Sequence, residues 1–138
     1  MKKLLLALGL CSLLSSSALA QGVIVGPGQQ VLCTGIAGLP AGSTGLQQVV
    51  AASTGKSIFI CGWHVTNTAS SGTFAISYGT GSNCGTGTVT IVPAQNVNST
   101  APSADHIDYA VGSIPQSNAL CLNFSVATIA GIIYYNQF

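Results

Sequence analysis

Short runs of Val, Ile, Thr, Phe and Tyr recur from Val31 to Tyr135, each broken within a few residues by Gly, Pro, Ser or Asn. No helical period accompanies them. This pattern specifies an all-β domain with tight turns. Eight or so strands in about a hundred residues suit a single-domain antiparallel β-sandwich, jelly-roll-like in its strand count. The expected strands are Val31–Ala37, Leu46–Ala52, Lys56–Thr66, Thr73–Tyr78, Thr88–Val92, Ile107–Val111, Ala119–Val126 and Gly131–Tyr135. Pro93 is expected to end the fifth, and Ala94–Ser103 is polar enough to form the long loop.

Lys56–Thr66 is the clearest strand. Alternation places Phe59, Cys61, Trp63 and Val65 on one face and Ile58, Ile60, Gly62, His64 and Thr66 on the other. On this reading Phe59, Trp63 and Val65 are core, with Trp63 at its centre. Burying such a side chain contributes on the order of 3 kcal/mol.

The N-terminus combines Met1-Lys2-Lys3, an apolar run from Leu4 to Leu14 and Ser15-Ser16-Ser17-Ala18-Leu19-Ala20. These are the three parts of a secretory signal, with cleavage expected between Ala20 and Gln21. The apolar run is shorter than the roughly 20 residues of a membrane span. Cys11 suggests a lipoprotein box, but Leu10 stands where a small residue is needed. Residues 21–30 read as an N-terminal arm and 31–138 as the domain. No later stretch is apolar and long enough to cross a bilayer as a helix. The expected location is the periplasm, the cell surface or the extracellular space.

Charge narrows the function. Beyond Ala20 the only Lys, Arg, Asp or Glu residues are Lys56, Asp105 and Asp108. Acid–base catalysis, phosphate binding and most metal sites depend on such side chains. Their scarcity argues against most enzymes, and the chain has no basic patch for nucleic acid. It also removes the repulsion that keeps copies apart, which favours association.

Cys33, Cys61, Cys84 and Cys121 remain beyond Ala20. In an exported chain an even count indicates two disulfides, with three possible pairings. No C-x-x-C supports zinc, and a nucleophilic Cys would need His64 or His106 as partner. On this reading the strand Ile58–Val65 and the loop after Tyr78 flank one hairpin. That pairs Cys61 with Cys84 and leaves Cys33 with Cys121.

Asp105-His106-Ile107-Asp108-Tyr109 is the one ionisable cluster. His106 and Asp108 would share a face of a strand and could begin a metal site. A solvated strand entry is the simpler account, because no second His or Cys ligand lies nearby in sequence. Gly79–Gly87 resembles a phosphate loop but has no Walker Lys and no following helix, so it reads as a turn. No G-x-S-x-G supports a serine hydrolase. Asn98-Ser99-Thr100 and Asn123-Phe124-Ser125 fit the glycosylation pattern by coincidence, given a bacterial-style signal. Phe138 suits an outer-membrane barrel ending, but the strands are too short and the aromatics too few for a barrel. No cofactor is implied.

Four separated elements also carry a resemblance: Lys56-Ser57-Ile58-Phe59-Ile60-Cys61-Gly62, Tyr78-Gly79-Thr80-Gly81-Ser82-Asn83-Cys84, Ala119-Leu120-Cys121-Leu122, and Tyr134-Tyr135-Asn136-Gln137-Phe138. Over Val49–Phe138 the chain resembles a diffuse group of small phage-type and environmental proteins. The resemblance implies a β-sandwich serving as a virion-associated or surface structural module, without catalytic residues. The export signal departs from that pattern and points to a bacterial surface or secreted role. Two functions follow as expectations. The first is a self-associating structural module. The second is a carbohydrate- or surface-binding module using Trp63, Tyr78, Tyr109, Tyr134 and Tyr135.

Overall fold

The structure, a computed structural model, describes residues 33–100, 103–106 and 112–138, with 103–106 by backbone alone. Among the described residues there are nine strands: β1 Gly35–Gly38, β2 Gly45–Val50, β3 Ile58–Asn67, β4 Gly72–Thr80, β5 Thr86–Val97, β6 Ser103–His106, β7 Gly112–Ile114, β8 Ala119–Phe124 and β9 Ile129–Gln137. The chain behaves as one long antiparallel ribbon folded back on itself. β1 pairs with β9, β2 with β8, β3 with β6 and β7, and β4 with β5. Rolling the ribbon adds β9 to β3 and β8 to β4. The result is two sheets, β1-β9-β3-β6 with β7 also on β3, and β2-β8-β4-β5. That is a jelly roll, an all-β sandwich as the sequence pattern requires.

Between the sheets lie Ile58, Ile60, Trp63 and Val65 of β3 and Ile133 of β9, against Phe74 and Ile76 of β4 and Leu120, Leu122 and Phe124 of β8. Trp63 and Phe74 meet edge to face across the sandwich, with centroids 6.1 Å apart. Both faces of β8 are buried from Ala119 to Leu122. Its Leu120 and Leu122 face the main core, while Ala119 and Cys121 pack with Cys84 and Leu46 in a second, smaller cluster. The cover there is the 3-10 turn Ser82–Cys84.

β3 corrects the expected alternation. Between Ile60 and Gly62 the ladder takes two steps along β3 but only one along β9, from Tyr135 to Tyr134. Cys61 is the extra residue of a β-bulge, and a bulge reverses the parity beyond it. Ile58 and Ile60 therefore share the core face with Trp63 and Val65. Phe59 is not core. It lies half-buried on the opposite side and stacks on Phe138, with centroids 4.9 Å apart.

β5 also differs from expectation, continuing through Pro93 to Val97 where a loop was anticipated. It is an edge strand, where a missing N–H need not cost a ladder bond. Three register shifts against β4 absorb the added residues. The strand expected at Ile107–Val111 lies outside the described residues. The expected terminal strand is present as β9, but in the middle of its sheet, paired on both sides.

The disulfides are Cys33–Cys61 and Cys84–Cys121, with Cα separations of 6.2 and 6.3 Å. They replace the expected Cys61–Cys84 and Cys33–Cys121. The expected pairing assumed that β3 and β4 form a hairpin, whereas the chain changes sheets between them. Cys61 sits in one sheet and Cys84 packs outside the other. Sheets stack about 10 Å apart, beyond the roughly 7 Å Cα reach of a disulfide.

Candidate interaction surface

The aromatic residues expected to bind a glycan do not form a common row. Trp63 is only 7% exposed and belongs to the core, so, contrary to expectation, it is not a surface binding aromatic. Tyr78 and Tyr135 are half-buried against the same core. The Tyr135 ring lies over Gly35, where a Cβ would come within 2.8 Å of it. Tyr134 alternates to the outer face, opposite Ile36 on one side and Gly62 on the other. Tyr109 lies outside the described residues.

The histidines are closer together than the sequence suggests. β6 places Ala104 opposite His64 and His106 opposite Gly62. The two histidines thus hold diagonal positions on neighbouring strands, a separation of about 7–8 Å between Cα atoms. Asp108 lies outside the described residues. Among the described residues no three His, Cys, Asp or Glu side chains gather at one point. All four cysteines beyond Ala20 are in disulfides, which removes the thiolate a cysteine nucleophile requires.

What the fold does present is an uncharged outer face. β1, β3 and β9 contain no Lys, Arg, Asp or Glu. Residues opposite one another in a ladder share a face. Ile36, Tyr134 and Gly62 form one row across the sheet, and Gly38, Ile132 and His64 form the next. Ile36 is 64% exposed, the most exposed large apolar side chain among the described residues.

The sheet edges differ in how they are protected. β5 carries Pro93 and its three register shifts, both of which discourage a further strand. β2 has a register shift between Gln48 and Val50, and the Gln48 N–H donates to Asn83 Oδ1 at 3.2 Å. β1 is four residues long, without proline, charge or register shift. Ile36 was missed in the sequence because Gly-Ile-Ala-Gly is too short to alternate visibly. A single bulky residue between glycines was the available signal.

Among the described residues no helix is long and apolar enough to cross a membrane. Two disulfides indicate an oxidising, exported setting. No protein-family model matches the chain, and no curated protein matches it.

Proposed function

We propose that this chain is an exported, non-catalytic structural module that self-associates, in the manner of the phage-type virion and cell-surface proteins it resembles. The observation that carries this reading is the uncharged face of β1, β3 and β9, ending in an edge where Ile36 is 64% exposed. Apolar exposure of this kind marks contact surfaces. No charged residue of β1, β3 or β9 opposes the approach of another copy. The disulfides and the signal-like N-terminus support export. Jelly rolls serve both as capsid and as lectin domains, so the fold by itself does not choose between them. The inward placement of Trp63 and the half-burial of Tyr78 and Tyr135 weigh against a glycan platform.

Light scattering on the purified protein at high micromolar concentration tests this reading. A mass of two or more chains is expected. A monomer at every concentration would contradict it and return weight to ligand binding.

A further inference from the structure

The self-association proposed above can be assigned to one edge and one arrangement. Leu39 N–H donates to Gly131 O at 2.9 Å, continuing the register in which Gly38 lies opposite Ile132. Hydrogen-bonded and non-hydrogen-bonded pairs alternate along an antiparallel ladder. Leu39, Ala37 and Gly35 therefore direct their backbone groups toward β9. Ile36 and Gly38 direct theirs away from it. Among the described residues β1 ends the order of its sheet, and these groups form its outer edge.

The side chains repeat the pattern. Ile36 and Gly38 stand on the same outer face, two residues apart. Ile36 projects into solvent. Above Gly38 a Cβ would meet nothing within 4 Å. The edge thus offers one apolar projection beside one vacant seat, with matching backbone groups at both positions.

We propose that β1 pairs with β1 of a second copy, antiparallel, about a two-fold axis through Ala37. Ile36 of each copy then lies opposite Gly38 of the other, and each such pair exchanges both N–H···O bonds. Each Ile36 side chain covers the seat above the other copy's Gly38. The arrangement is isologous and closes on itself. It joins the two sheets into one. Charge does not oppose it, since neither β1 nor its neighbour β9 carries any. The β5 and β2 edges are disfavoured by the features described above, and β6, at the far end of the same sheet as β1, carries Asp105. A contact of four residues per copy falls in the small, weak class of interfaces, below about 1,200 Å², so the dimer forms at high micromolar concentration.

The inference rests on the self-association reading, and the test separates their failures. The purified protein, Ile36→Lys and Gly38→Val are compared by light scattering over a concentration series, with melting temperature as the folding control. Gly38→Val is the sharper variant, because its side chain has open space in the monomer and fills the seat that the other Ile36 needs. Both variants are expected to remain monomeric where the unaltered protein dimerises, with Gly38→Val keeping its melting temperature. Hydrogen exchange at Ile36 and Gly38 should slow as concentration rises. If the unaltered protein is monomeric throughout, both readings fail. If it associates and Gly38→Val associates equally, the β1 pairing is wrong while self-association stands. If exchange at Ile36 and Gly38 does not change with concentration, the pairing is again wrong.

Discussion

Truncating Ile60 and Phe59 separately tests the bulge at Cys61, because the two readings of β3 rank the costs in opposite order. Ile60 is 0% exposed. Ile60→Ala removes three buried carbons, a transfer loss of about 2.4 kcal/mol at about 0.8 per carbon. The cavity left between the sheets adds roughly 1 kcal/mol, for a total near 3.5 kcal/mol. Phe59 is half-buried and held mainly by its stack on Phe138. Losing that stack costs about 1 kcal/mol. Re-exposing half of its apolar area adds about 1 kcal/mol more. The expected gap of roughly 1.5 kcal/mol is resolvable by urea unfolding, with m-values checked for constancy. If Phe59→Ala costs more than Ile60→Ala, strict alternation holds through Cys61 and the bulge reasoning is refuted.

Three further outcomes follow from the same packing. A Cβ on Gly131 would collide with His64 O and come within 2.9 Å of Val65 Cα, so Gly131→Ala is expected to prevent β9 from docking on β3 and to lower the yield of folded protein sharply, read by circular dichroism. Asn67 accepts from Thr128 Oγ1 at 2.6 Å and from Ala69 N–H at 3.0 Å, and donates to Val97 O at 3.3 Å; Asn67→Leu strands those partners and should cost about 2–3 kcal/mol in urea unfolding, with a near-neutral result counting against the network. Under graded reductant, Cys33–Cys61 should open first because Cys33 is half-buried, whereas Cys84 and Cys121 are both 0% exposed; alkylation and mass spectrometry that found Cys84 and Cys121 labelled earlier would oppose this.

Much of the architecture was legible in the sequence because turn residues punctuate the strands clearly. The strand content, the sandwich class and the presence of disulfides all follow from that punctuation and the export-like N-terminus. The failures share a physical origin in long-range geometry. A bulge leaves no composition signal, and Cys61 reads like any other strand residue, so the parity of Phe59 came out reversed. Whether β3 and β4 form a hairpin or change sheets depends on how the ribbon rolls, and the disulfide pairing was wrong for that reason. Pro93 stops a central strand but not an edge strand, and edge position is not encoded locally. Ile36 and Gly38 gained meaning only when β1 was found at the end of its sheet. The approach of His106 to His64 is likewise a matter of register, invisible at their separation in sequence.

The central claim is that copies meet through neutral backbone and apolar contacts, and the salt dependence of association tests it most directly. Sedimentation equilibrium of the purified protein is compared at low salt and at about 1 M salt, where the Debye length falls to about 3 Å. An association constant that is unchanged or slightly higher at high salt is the expected result. A fall of tenfold or more would mean that charge holds the copies together, and would contradict the account.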